Sequence, residues 1–221
     1  MKRVSTIIVA AGEGKRFGSP KQFSLLGGKP VLEWTLQRFE SHRSVNEILL
    51  VLPDGENKER YFKLSRKLTA VIKGGEKRQD SVRRGFERID PKKTDIVLVH
   101  DGVRPLVGED LISRVIEATL KKGAVVPALP MNETLKQVSG PQIIHTVERA
   151  DLYRVQTPQG FYYSLLKQAL EKAAEEGFYG TDEAMLVERL GEKVFLVEGD
   201  RRNIKITDPL DLKIAEAFFE I

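Results

Sequence analysis

The stretch Val4-Ser5-Thr6-Ile7-Ile8-Val9-Ala10-Ala11-Gly12-Glu13-Gly14-Lys15-Arg16-Phe17-Gly18-Ser19-Pro20-Lys21 decides how the chain is read. It opens as a short β-branched run, the pattern of a buried strand. It continues as a glycine-rich turn, which lets backbone N–H groups approach an anion closely. Lys15, Arg16 and Lys21 fall within seven residues of one another. A lone Gly-x-Gly is equally compatible with a solvated basic loop; the added Arg16 and Lys21 favour a triphosphate. Two commoner phosphate motifs are excluded. The Gly-x-x-x-x-Gly-Lys-Ser/Thr run is absent from this segment, and Phe17 stands where a dinucleotide fingerprint needs its third glycine. Pro20 also disfavours a helix at the turn. The loop is expected to run to Gly27-Gly28-Lys29, with Pro30 opening a helix at its first position.

Outward from this segment, β-branched runs alternate with helical patterns. Strands are predicted at Val4–Ala10, Glu47–Leu52, Ala70–Lys73, Ile96–His100, Ala124–Ala128 and Val194–Val197. Between them, Leu111, Ile112, Val115, Ile116 and Thr119 recur at helical spacing, as do Leu165, Leu166, Ala169 and Leu170. This alternation argues for an α/β fold around a mainly parallel sheet, in which ligands bind beyond the carboxyl ends of the strands. The Gly12 loop, Gly74-Gly75 and Asp101 each follow a predicted strand, so all three point to one site. The segment from Glu133 to Arg149 breaks the alternation and reads as a β-hairpin around Ser139-Gly140-Pro141-Gln142. A lone hairpin is marginal in water, so Leu135, Val138, Ile143 and Val147 need a partner surface, either on their own domain or on another subunit.

A chain of 221 residues suits one domain with a sizeable core. No apolar run approaches the roughly 20 residues of a membrane span, and Met1-Lys2-Arg3 leads straight into a strand, so neither signal peptide nor membrane is expected. The absence of cysteine removes disulfides, thiol nucleophiles and cysteine-bound metal, and is compatible with a reducing cytosol. A net charge of +4 and an aromatic share of 7% are too small to suggest nucleic-acid binding. The cations near the loops suit a small polyanion better.

Ala10-Ala11-Gly12-x-Gly14-x-Arg16 with Pro20-Lys21-Gln22 resembles the signature of sugar-nucleotide pyrophosphorylases and related nucleotidyltransferases. Six further motifs narrow the resemblance. They are Gly74-Gly75-x-x-Arg78-x-x-Ser81-Val82, Val99-His100-Asp101-x-x-Arg104-Pro105, Thr146-Val147-x-Arg149, Thr157-Pro158-Gln159, Thr181-Asp182-Glu183-Ala184 and Asn203-Ile204-Lys205-Ile206-Thr207. In this order, over almost the whole chain, they are similar to the 2-C-methyl-D-erythritol 4-phosphate cytidylyltransferase family.

The resemblance implies a Rossmann-like sheet flanked by helices, one nucleotidyltransferase domain over residues 1–221, and a hairpin arm at 133–149 that embraces a second subunit. It implies a cytoplasmic, Mg²⁺-dependent enzyme of non-mevalonate isoprenoid synthesis that joins CTP to a polyol phosphate. Such a reaction needs no covalent intermediate and no strong base, because the second pKa of a phosphate monoester is about 6. It needs alignment and charge neutralisation. By resemblance, Arg16, Lys21 and Lys205 are catalytic. Ala10, Ala11, Gly12, Gly14, Gly74, Gly75, Ser81 and Asp101 bind CTP. Asp101, Gly102, Arg104, Thr134, Arg149, Thr157 and Thr181 bind the acceptor, and Asp101 is the candidate for a Mg²⁺ shell.

Other readings stand beside these. Lys205 lies in a strand-like alternating run where an edge lysine is common. Thr181 could simply cap the next helix, Arg78 could brace its loop, and His100 is expected to be structural. Glu133 replaces an aspartate common in the family, and Gly102 is expected to loosen the turn after Asp101. Rival activities are a ribitol 5-phosphate cytidylyltransferase, a non-catalytic nucleotide-binding regulator and, least favoured, a pyridine-nucleotide oxidoreductase.

Overall fold

The computed structural model describes residues 2–14 and 17–219. The chain starts with β1 (Val4–Val9), and after the basic loop a short 3-10 turn at Lys21–Phe23 leads into two-residue strands β2 (Leu25–Leu26) and β3 (Lys29–Pro30). Then come α1 (Val31–Ser41), β4 (Glu47–Leu52), α2 (Lys58–Phe62), β5 (Leu68–Lys73), α3 (Arg78–Phe86) and β6 (Ile96–Asp101). They are followed by α4 (Glu109–Lys122), β7 (Ala124–Pro130), and the hairpin strands β8 (Leu135–Ser139) and β9 (Gln142–Val147). The chain finishes with β10 (Tyr153–Val155), β11 (Gln159–Tyr162), α5 (Tyr163–Glu175), α6 (Glu183–Arg189), β12 (Phe195–Glu198) and α7 (Pro209–Phe219). Each of the six strands predicted above is present, β4 with the predicted bounds and the others with ends shifted by at most two residues. Pro30 stands one place earlier than expected, at the N-cap of α1, because it still pairs with Leu25 in β3.

The main sheet has the order β10-β7-β11-β6-β1-β4-β5, with β12 also on β7. β5, β4, β1 and β6 run parallel, as do β12 and β7. β11 is antiparallel to β6 and β7, and β10 to β7. The fold is therefore α/β with a mixed, mostly parallel sheet flanked by helices. Side chains alternate across a strand, so Ile7 and Ile8 point to opposite layers. Ile8, Leu50 and Leu98 pack with Leu36, Phe39, Ile112 and Val115 of α1 and α4. Ile7, Leu49, Val97 and Val99 pack with Val82, Phe86, Leu166 and Leu170 of α3 and α5. Both faces being covered explains why these strands read as unbroken apolar runs. A Leu98→Ala change in this core should cost about 2–5 kcal/mol.

Two regions depart from this layering. The β8–β9 hairpin forms its own two-stranded sheet, and Val138, Ile143 and Ile144 are 56%, 58% and 53% exposed. Consecutive Ile143 and Ile144 face opposite sides, so both faces of the hairpin are bare of apolar cover. The run Asn203–Thr207 is not a strand, contrary to expectation. Ile204 and Ile206 alternate with polar residues in the sequence, but the buried positions are Asn203 and Ile206, three residues apart, and the Ile206 N–H donates to Val103 O at 2.9 Å. No helix among the described residues is long and apolar enough to cross a membrane.

Candidate active site

The carboxyl ends of β1, β5 and β6 converge on a cavity of about 220 Å³. Ala10, Ala11 and Gly12 line it from the first loop, and Gly75 and Ser81 from the second. Lys21, Arg78, Asp101 and Lys205 supply charge. Arg16 and Lys15 lie outside the described residues.

The loops hold their shape through specific bonds. Gln22 is buried and donates through Nε2 to Ala10 O (2.9 Å) and Gly12 O (3.0 Å), bracing the first loop from behind. Gly14 has φ +71°, and a Cβ there would lie 1.9 Å from Ser19 O, so a left-handed glycine is required to turn the loop. In the second loop, Ser81 Oγ accepts from Gly75 N at 3.0 Å, and Arg84 Nη1 donates to Gly74 O at 2.6 Å. Gly74 and Gly102 lie behind the cavity. A Cβ on Gly74 would meet Ala11 Cβ at 2.2 Å, and one on Gly102 would meet Ala10 Cβ at 2.7 Å. Gly102 therefore does not loosen its turn; it lets β6 close tightly on β1, with its N–H donating to Val9 O at 2.8 Å.

Asp101 is the electrostatic centre. Arg78 Nε donates to Oδ1 at 3.1 Å, Lys205 Nζ approaches Oδ2 at 2.8 Å, and Arg104 Nε lies 3.7 Å from Oδ2. Burial alone pushes this carboxyl up, but Arg78, Lys205 and Arg104 outweigh it and hold it well below the usual carboxylate range. Arg78 also donates through Nη1 to both oxygens of Glu183, at 2.8 and 2.9 Å. Burial disfavours the guanidinium charge, but Glu183 and Asp101 together more than restore it. Burial pushes the Glu183 carboxyl up, against the pull of Arg78. Arg78 thus ties Asp101 to Glu183 across the site while also lining the cavity.

Behind Asp101, the Thr157 hydroxyl accepts from the Asp101 N–H at 3.1 Å and lies 3.1 Å from His100 Nδ1. His100 is buried, packs on Phe39 and is pushed down by burial to about 3, which fits the structural role expected of it. Arg104 is anchored through Nη1 to Asn203 O at 2.7 Å, and Asn203 Nδ2 donates to Thr157 O at 2.8 Å. Gln156 Nε2 donates to Asp200 O at 2.8 Å, pinning the turn that leads to Lys205.

Three of the residues expected to bind the acceptor, Thr134, Arg149 and Thr181, lie apart from this cavity. Thr134 is exposed at the start of the hairpin, and Arg149, just after β9, bonds Asn132 O. Thr181 is exposed, and the cap of α6 is Asp182, whose carboxylate accepts from Met185 N at 3.0 Å. A second cavity of about 330 Å³ shares Lys205 with the first and adds Arg104, Arg154 and Arg201. No group of three or more His, Cys, Asp or Glu that could hold a metal occurs among the described residues.

Sequence reasoning missed the part played by Glu183, Asn203 and Gln22. Each lies inside a quoted motif, but its partners lie farther along the chain, 10 to 12 residues away for Gln22 and up to 105 for Glu183, so the spacing within a short run does not expose them.

Comparison with known proteins places the chain in a family. The family model for 2-C-methyl-D-erythritol 4-phosphate cytidylyltransferase (IspD) matches residues 4–221. The enzyme of that name from Syntrophus aciditrophicus is 43% identical, over 99% of this chain and 96% of its own. That from Geobacillus thermodenitrificans is also 43% identical, over 96% of this chain and 94% of its own. Among solved structures, the Thermus thermophilus enzyme of that name superposes with a TM-score of 0.84 at 39% identity, covering 97% of this chain and 98% of its own. The 4-diphosphocytidyl-2C-methyl-D-erythritol synthase from Anaerococcus prevotii superposes with a TM-score of 0.86 at 32% identity, covering 100% and 99%. Matched end to end in both sequence and fold, this chain belongs to the 2-C-methyl-D-erythritol 4-phosphate cytidylyltransferase family.

Proposed function

We propose that the chain is the cytidylyltransferase that makes 4-diphosphocytidyl-2-C-methyl-D-erythritol from CTP and 2-C-methyl-D-erythritol 4-phosphate in non-mevalonate isoprenoid synthesis. The acceptor phosphate attacks the α-phosphorus, the bond to the bridging oxygen breaks, and pyrophosphate leaves. The observation that carries this reading is the cavity where Lys21 and Lys205 meet two glycine loops beside an ionised Asp101. The first loop offers Gly12 N–H to the triphosphate, while Lys21, with Arg16, neutralises the departing pyrophosphate. Lys205, tethered by Asp101, faces the α-phosphate. Such preorganised cations act where charge gathers in the transition state. The Gly74–Ser81 loop meets the cytosine edge, and Arg104 holds the incoming phosphate with Lys205.

Mg²⁺ fits this site. A carboxylate has about four acceptor positions, and Arg78 and Lys205 engage one oxygen each. Asp101 keeps capacity for a cation whose other ligands are phosphate oxygens and water, the usual Mg²⁺ arrangement. Bound there, Mg²⁺ would supply further neutralisation of the phosphates.

We further propose that residues 1–221 act as one domain and that its arm, 133–149, embraces a second copy. Its exposed Val138, Ile143 and Ile144, with Tyr153 and Val155 of edge strand β10, offer the apolar surface such a dimer would cover. Thr134 and Arg149 would then reach the neighbouring acceptor site, and Thr181 would complete it. A reaction between small phosphorylated metabolites suits the cytoplasm.

The test is pyrophosphate release and product mass with CTP and each candidate acceptor. Methylerythritol phosphate should support turnover far better than ribitol 5-phosphate. Equal or better turnover with ribitol phosphate would reassign the acceptor.

A further inference from the structure

Glu183 is 1% exposed. It stands on the first turn of α6, and Gln159 of β11 bonds both neighbours of Glu183: its Nε2 donates to Asp182 Oδ2 at 2.7 Å, and its Oε1 accepts from Ala184 N at 3.3 Å. The carboxylate is therefore fixed to the central sheet. Both its oxygens receive Arg78 Nη1, and the same guanidinium gives Nε to Asp101 Oδ1. The other oxygen of Asp101 receives Lys205. Charges thus alternate along one line: Glu183, Arg78, Asp101, Lys205. Stability alone does not explain it, because a buried ion pair is often no better than apolar packing of the same volume.

Arg78 lines the nucleotide cavity. Without Glu183, Asp101 is the one carboxylate among the described residues still paired with Arg78, and a swing of the guanidinium toward the triphosphate would take the partner from Asp101 Oδ1. Its carboxylate could then rotate, and Lys205 would follow. We propose that Glu183 is a positioning residue for cytidylyl transfer: through Arg78 it fixes Asp101, and through Asp101 it aims the Lys205 ammonium at the α-phosphate. This rests on the reading of the site given above. Glu183 touches no substrate; it sets where Lys205 can be.

The experiment compares wild type, Glu183→Gln, Lys205→Ala and the double variant, with CTP and methylerythritol phosphate. Pyrophosphate release is followed in the steady state and, for slow variants, in single turnovers with excess enzyme. Glu183→Gln keeps the side chain's size and removes its charge. It should lower kcat on the order of 10- to 100-fold, the cost of a misplaced catalytic group, with KM for CTP little changed. In the double variant the two losses should not multiply, because residues acting through one contact chain are not additive. Its rate should match Lys205→Ala alone. A wild-type rate in Glu183→Gln, or losses that multiply, would overturn the proposal. If Glu183→Gln fails to unfold cooperatively, Arg78→Lys replaces it: charge is kept, but one ammonium cannot span two carboxylates as the guanidinium does. The same rate pattern is required of it. Wild type inactive with CTP and methylerythritol phosphate would instead remove the cytidylyltransferase reading itself.

Discussion

The residues assigned to the nucleotide converge within one chain, whereas three assigned to the acceptor stand exposed on the hairpin, beside it or ahead of α6. On the first side, Asp101 is buried, its two carboxylate oxygens are claimed by Arg78 and Lys205, and its backbone N–H is held by Thr157. On the second, Thr134, Arg149 and Thr181 are exposed, and the hairpin carries apolar side chains on both faces. The difference teaches that rigidity and completeness are unevenly supplied. The cavity around Asp101 is preorganised by the sheet. On the proposed reading, the acceptor site gains its remaining groups only when a second copy covers the arm.

The largest effect should follow from breaking the closed half. Asp101→Ala removes the carboxylate that Arg78, Arg104 and Lys205 share, leaving Arg78 with Glu183 alone, and removing one partner of a buried ion pair costs about 3–5 kcal/mol. Both the unfolding midpoint and turnover should fall sharply. Arg149→Ala, on the open half, should change stability by no more than about 0.5 kcal/mol while still lowering activity. Chemical denaturation of the two variants measures the contrast directly. Equal stability losses would erase the distinction between the halves.

Next comes Lys21→Ala, which should reduce turnover by about 10² or more, as loss of a preorganised group at a transferring centre does. CTP binding, followed by calorimetry, should weaken less than turnover falls. A folded variant with near-normal turnover would remove Lys21 from the chemistry.

Much of the closed half was legible because its signals are local. The β-branched runs gave β1, β4 and β6, and the glycine loops after them marked the cavity. What stayed hidden depends on distance. Antiparallel β11 was not anticipated, since a four-residue strand between β6 and β7 carries no direction in its sequence. The run around Lys205 looked like a strand because Ile204 and Ile206 alternate with polar residues, although Asn203 and Ile206 are the ones buried and the run forms no strand. Gly102 was read as slack, yet the space it leaves is filled by Ala10 and Leu32. The hairpin itself was legible, with Val138 and Ile143 exposed on it, but not which surface would cover them.

A smaller effect should appear with pH. His100 ordinarily titrates near 6.5, and burial pushes it to about 3. As pH falls below 6.5 the unfolded chain takes up a proton that the folded chain refuses, so stability drops between those values. The slope for one group is at most about 1.4 kcal/mol per pH unit. His42, also pushed down by burial, adds a change of the same sign. Denaturation from pH 7 to 4 should show the loss, and His100→Gln should flatten part of it. An unchanged slope would mean that His100 is protonated in the folded state.

The central claim, a site closed by one chain and completed by another, is tested most directly by mixing two damaged forms. Lys21→Ala disables the nucleotide half, and Arg149→Ala disables the part that reaches across. In a symmetric dimer each surface is used reciprocally, so a hybrid holds one site with both defects and one with neither. After unfolding and co-refolding, with hybrids counted by native mass spectrometry, activity should rise above that of either parent. It should approach about half the wild-type value per hybrid dimer. Hybrid dimers present in quantity, but no more active than the parents, would contradict the account and return the arm to its own domain.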